Sequence, residues 1–214
     1  MRIQNDFLML MVLTGVFALG AAGTMAQTVV YDAVPGTLDP NYPSQPFQAQ
    51  QTAEFGDYVH LAGTNRVVKK VTVTMSNWAL ASTPANVTYC TANPGTCTAA
   101  GFNHPFTINI YNIGPPLVGG VRSHGSLLGT VTQTKTVPWR PADDLVNCPA
   151  DSAWFSGGSC YHGYAFNLTF DLSGLAVTVP NDIVIGIAYN TQTYGAAPIG
   201  VDGPYNSLNV ALTG

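Results

Sequence analysis

The chain predicts an all-β fold, an antiparallel two-sheet β-sandwich of the Ig-like or jelly-roll kind with disulfide-stapled loops, and three observations carry that prediction. Apolar residues recur at every second position in five separate runs, turn-forming residues divide those runs, and helical spacing is nearly absent. In each run one face is apolar and the other carries Thr, Asn or Ser, as in strands that pack on a core on one side and meet water on the other. Two stacked sheets bury such faces against each other, with a closed barrel as the alternative.

Along the chain, Arg2 precedes an apolar run from Phe7 to Gly23, and Thr24-Met25-Ala26 supplies a small-x-small triplet before Gln27. Residues 1–26 therefore read as a secretory signal peptide. The run is slightly shorter than the ~20 residues of a membrane span. No second long apolar stretch follows, so a secreted or cell-surface protein with no membrane span after cleavage is expected. Residues 27–53 hold four prolines and no sustained periodicity, which suits an extended N-terminal arm or an edge strand.

Residues 54–214 carry the sandwich. Val71, Val73 and Met75 alternate with Thr72, Thr74 and Ser76, and Phe106, Ile108 and Ile110 with Thr107, Asn109 and Tyr111. The same period of two runs through Phe166 to Leu172, Ile183 to Tyr189 and Leu208 to Leu212, with further strands expected near Tyr58 to Ala62 and Gly129 to Val137. No internal repeat or linker is visible, so the mature chain reads as one domain.

Charged residues make up only 8% of the 214 residues, against about 25% in an ordinary soluble domain. Seven basic and eleven acidic residues leave a net charge of -4, too few cations and the wrong sign for a nucleic-acid partner. The four cysteines fall as two close pairs, Cys90 with Cys97 and Cys148 with Cys160. Export favours disulfides. Three connectivities exist, and the two local closures are favoured because each brackets a loop rich in Gly, Pro, Asn or Ser. Neither pair has the short C-x2-4-C spacing of a zinc site.

The sequence holds no G-x-S-x-G, H-E-x-x-H, Walker or G-x-G-x-x-G pattern. A glycoside hydrolase needs two carboxylates flanking one bond. Glu54 is the single glutamate, and its i, i+3 spacing to Asp57 on an extended chain points the two side chains to opposite faces; Asp171 is the other partner considered. His60, His104, His124 and His162 are scattered singly, with no H-x-H to set two imidazoles on one strand face. The acidic loop Asp143, Asp144, Asn147 and Asp151 offers oxygen ligands for calcium but lacks the EF-hand pattern, and a solvated loop is the plainer reading.

Aromatics gather around the second cysteine loop: Trp139, Trp154, Phe155, Tyr161 and Tyr164, beside Gly157-Gly158. Trp154, Tyr161 and Tyr164 could form a platform on which sugar rings stack, with His162 or Asp151 bonding hydroxyls. The plainer and favoured reading is that the same rings pack over the disulfide and seal one end of the sandwich. Two sequons, Asn86-Val87-Thr88 and Asn167-Leu168-Thr169, are present; such short patterns arise often by chance.

The stretches TAEFGDYVHLAGTNRVVKKVTVTMSNWA (residues 52–79), GGSCYHGYAFNLTFDLSG and SLNVAL resemble a family of uncharacterised secreted bacterial proteins, some of which end in cell-surface sorting tails. The likeness spans most of residues 27–214. It implies a β-rich exported domain and brings no activity or catalytic residue with it. Unlike the tailed members, the sequence shows no LPXTG-like motif or hydrophobic anchor before Gly214.

The expected function is that of a non-catalytic secreted or surface-associated domain that binds glycans or other matrix components. The alternative is a structural, self-associating envelope or matrix component whose edge strands pair with copies of itself, since few charged residues guard its strands. A carboxylate-pair glycoside hydrolase ranks third. No cofactor is expected unless calcium occupies the acidic loop.

Overall fold

The computed structural model describes residues 28–117, 123–195 and 199–212; the expected signal peptide lies outside them. The described residues form ten strands: β1 (Ser44–Pro46), β2 (Glu54–His60), β3 (Lys70–Asn77), β4 (Gly101–Ile113), β5 (His124–Pro138), β6 (Trp154–Ser156), β7 (Ser159–Tyr161), β8 (Tyr164–Asp171), β9 (Asp182–Ala188) and β10 (Leu208–Ala211). One sheet has the order β1-β10-β3-β8, the other β2-β9-β4-β5, and β6-β7 is a separate hairpin. Every strand pairing is antiparallel. This is the two-sheet sandwich that the alternation predicts, and its five alternating runs all became strands.

Burial follows the strand period. Phe106, Ile108 and Ile110 of β4 are fully buried, as are Met75, Phe170, Ile183 and Leu208 from the strands that face or flank them. The outer positions carry ladders of neutral polar contacts: Thr107 with Thr132 at 2.7 Å, Thr130 donating to Asn109 at 2.7 Å, and Thr72 with Thr169 at 3.0 Å. Hydroxyls and amides paired across strands thus do the work that ion pairs do on more charged sheets.

Of the two readings of the N-terminal stretch, arm or edge strand, the described residues 28–53 supply an edge strand: Ser44–Pro46 joins the first sheet against β10, and Phe47 is fully buried, its ring 4.7 Å from Phe55 and 4.0 Å from Tyr189. Pro46 is tolerated there because β1 is an edge strand, where a missing N–H costs no ladder bond. A helix, α1 (Pro84–Ala92), stands where no helical spacing was evident. It is short, starts with Pro84 in its first turn, and is tethered by the Cys90–Cys97 disulfide and by the Asn86 amide donating to the Leu80 carbonyl at 2.8 Å.

The two flanks of the sandwich differ. On the β5/β8 side, Gln133 and Lys135 occupy inward-facing register, opposite Phe106 and His104. The Lys135 ammonium lies 5.0 Å over the Phe170 ring, and the Gln133 amide bonds the backbone of Asp171 on β8. That flank is closed by polar side chains turned inward on an edge strand. On the β1/β2 side the sheets stand apart around an open groove of about 1320 Å³.

Candidate functional site

Both local disulfides form, with Cα atoms 5.5 Å apart for Cys90–Cys97 and 6.0 Å apart for Cys148–Cys160. Two disulfides suit an oxidising, extracellular environment, and among the described residues no helix is long and apolar enough to cross a membrane.

The second disulfide anchors the region expected to bind ligand. Gly157 and Gly158, with φ of 56° and 88°, make the tight turn between β6 and β7. That hairpin sets Trp154 opposite Tyr161. Trp154 is only 8% exposed, its indole N–H donates to the Gly163 carbonyl at 2.8 Å, and Tyr161 and Tyr164 pack on it at 5.5 and 5.7 Å. Trp154 is therefore covered within its own loop and presents no open face to solvent, while Tyr161 and Tyr164 are half-buried. His162 and Asp151 do come together: Nε2 lies 2.8 Å from the Asp151 carboxylate, and Nδ1 lies 3.1 Å from the Ser152 carbonyl.

The exposed ring beside them is one the sequence reading passed over. Trp78, 44% exposed, stacks on His162 with ring centroids 5.7 Å apart and planes 20° from parallel. It follows β3 directly, and its backbone N–H donates to the Ser207 carbonyl at 3.0 Å. A shallow depression of about 300 Å³ adjoins it, lined by Ser44, Pro46, Asn206, Ser207 and Asn209. The amides are held in place: Asn209 donates to the Ser44 hydroxyl at 3.0 Å, and Asn206 accepts from the Gln192 N–H at 2.8 Å and donates to Asp202 at 2.7 Å. The signal was legible, because Trp78 continues the polar register of Thr72, Thr74 and Ser76, where an indole stands out.

The calcium candidates do not converge. Asp143 pairs with the buried Arg140 guanidinium at 2.8 Å, and Asp151 is taken by His162. Asp144 accepts from the Asn147 side chain at 2.8 Å and from the backbone N–H of Asn147 and Val146 at 3.0 Å; these bonds, led by the Asn147 side chain, hold its carboxyl below the ordinary carboxylate range. Among the described residues no three His, Cys, Asp or Glu side chains gather so as to hold a metal ion.

The carboxylates considered for glycoside hydrolysis share no cleft. Asp57 is on the inward register of β2 with Phe55 and Val59, and Glu54 is on the outward one. Glu54 accepts from the Tyr111 hydroxyl at 3.0 Å and from the Asn109 amide at 3.1 Å. Burial, and then Glu54 itself, push the Tyr111 hydroxyl up to about 12. Asp171 is on the outward register of the other sheet and accepts from the Ser173 N–H at 2.8 Å.

Of the remaining histidines, His104 is buried, and His60 and His124 are exposed. His104 is 4% exposed, stacks on Tyr205 at 4.8 Å and meets the Asn190 carbonyl at 2.9 Å; burial lowers it to about 4. His60 pairs with Asp182 at 2.6 Å, and His124 lies on Tyr111 at 4.6 Å. Of the sequons, Asn86 is buried and Asn167 exposed.

Comparison with protein-family models, with curated proteins and with solved structures yields no match to this chain.

Proposed function

We propose that this protein is an exported, non-catalytic β-sandwich domain that binds glycans on the surface formed by Trp78 and His162. The observation that carries the reading is the half-exposed Trp78 indole, stacked on His162 and bordered by a shallow depression of amides and hydroxyls. An aromatic ring offers an apolar face to the C–H side of a pyranose, while fixed amide and hydroxyl groups meet its hydroxyls. Ser44, Asn206 and Asn209 are positioned for the second task, and the Asp151–His162 pair holds the imidazole against the indole. The neutral outer faces suit uncharged polysaccharide, since charge adds little to its recognition.

The test is retention of the folded protein in affinity gels and on glycan arrays, with Trp78→Ala and Trp154→Phe in parallel. Retention that falls about tenfold or more in Trp78→Ala, the loss expected for one stacking contact, and persists in Trp154→Phe supports the reading. A blank array on folded protein overturns it.

A further inference from the structure

The first sheet is forked. β10 pairs with β3 only at Met75, Ser76 and Asn77, then leaves it to follow β1, the Leu212 N–H donating to the Pro43 carbonyl at 2.7 Å. Among the described residues, β3 has from Lys70 to Thr74 a strand neighbour on one side alone, β8. The fork opens into the space between the sheets. Val73 faces inward, opposite Leu168, and lies between the buried Val71 and Met75, yet is only half-buried; Ile185, between the buried Ile183 and Ile187, is half-buried in the same way. Leu212 is 51% exposed. These residues line the open groove on the β1/β2 flank. An unpaired strand edge above an apolar floor is the geometry of a sheet that lacks one strand.

The rim of this groove is chemically distinct. Arg66, Lys69 and Lys70 all line it, in a chain with seven basic residues in total. A strand that suits the slot alternates apolar side chains and carries an acidic residue toward that rim. Residues 28–34, Thr-Val-Val-Tyr-Asp-Ala-Val, have this pattern: Val29, Tyr31 and Ala33 share one face of an extended chain, and Asp32 supplies the charge. Val29 and Tyr31 are 71% and 45% exposed. Within its own molecule the segment borders the β2 side of the groove, the Ala62 N–H donating to the Val30 carbonyl at 2.7 Å. It leaves the β3 edge unpaired.

We infer that the fork between β3 and β10 is a strand-acceptor slot, and that its occupant is the segment Thr28–Val34 of a second copy. The inserted segment extends the first sheet beside Lys70–Thr74 and turns Val29 and Tyr31 toward Val73, Phe55 and Ile185. To reach the partner's β3 edge the segment gives up the bond between the Ala62 N–H and the Val30 carbonyl and gains main-chain bonds along Lys70–Thr74. The inference goes beyond glycan binding and uses a different surface from Trp78.

Sedimentation of the purified protein, with its N-terminus established by intact mass, tests this together with amide exchange of Lys70–Thr74. The expected result is concentration-dependent dimerisation, slower exchange of those amides in the dimer, and about a hundredfold weaker association in V29D/Y31D, since two apolar anchors are lost. A free peptide of sequence TVVYDAV should compete. Val29 is exposed, whereas Tyr31 also hydrogen-bonds Asp57 within its own molecule, so the variant's melting temperature reports whether folding is intact; glycan retention should not change. A folded protein that stays monomeric at every concentration overturns the inference, as does association that survives V29D/Y31D or leaves Lys70–Thr74 exchange unaltered.

Discussion

Trp78 and His162, from the same end of the β3/β8 pair, where Asn77 faces Tyr164, stack with their rings 5.7 Å apart, and Trp154 lies buried nearby with its N–H on the Gly163 carbonyl. Two tryptophans of one region thus have opposite tasks, one facing solvent and one packed inside its own loop. Trp78→Ala should change stability by no more than about 1 kcal/mol, as surface substitutions do. Trp154→Ala should cost about 3 kcal/mol or more, because it opens a cavity and leaves the Gly163 carbonyl without its donor. Urea unfolding of the two variants separates these roles; equal losses would contradict the assignment.

His104 gives the fold an acid limit. Its folded value of about 4 lies below the 6.5 of an exposed imidazole, so protons bind the unfolded chain first. Its contribution is fully present above pH 6.5 and is lost as pH falls toward 4, about 3 kcal/mol in all. Urea midpoints measured from pH 7.5 to 4 should show this fall, and His104→Phe should remove the part that His104 causes. An unchanged slope in that variant would exclude His104 as the source.

Gly186 and Glu54 are coupled across the second sheet. A Cβ at 186 would collide with the Glu54 carboxylate, which Tyr111 and Asn109 hold in place. Gly186→Ala should therefore cost about 1–3 kcal/mol, the range for breaking hydrogen bonds to a charged group. In a Glu54→Ala background the same change should cost much less. A double-mutant cycle reads the coupling directly, and additive losses would refute it.

The disulfides should contribute separately. On loop-closure entropy, Cys90–Cys97 and Cys148–Cys160 close short loops worth roughly 2.5 and 3 kcal/mol. Peptide mapping without reduction should recover both local pairs, and Cys→Ala pairs should lower the melting temperature in turn. Only loss of Cys148–Cys160 should also weaken glycan retention, since the loop it ties carries Asp151, which holds His162.

Much of the fold was legible because strand periodicity is local. Val71, Phe106, Ile183 and their alternating neighbours declare a buried face whatever they pack against. Both cysteine pairings were legible too, because short loops close cheaply. The helix at Pro84–Ala92 was not, since its order comes from the Cys90–Cys97 tether and the Asn86–Leu80 bond more than from an apolar stripe. At the candidate site, His162 and Asp151 were named from their loop, and the structure joins them. Trp154 was named as a platform and is buried, for a sequence shows that an aromatic is present and not which side of a sheet covers it.

The sequence by itself determined an all-β sandwich with neutral outer faces and two local disulfides, because alternation, composition and short cysteine spacing act over a few residues. Only the tertiary structure decided that Trp78 is the exposed indole and that β10 parts from β3 to leave an open slot. Those outcomes depend on which strands become neighbours. Residues far apart in the chain, such as Trp78 and His162 or Met75 and Val210, meet only when a sheet order has been chosen, and that choice is made by the packing of the whole core.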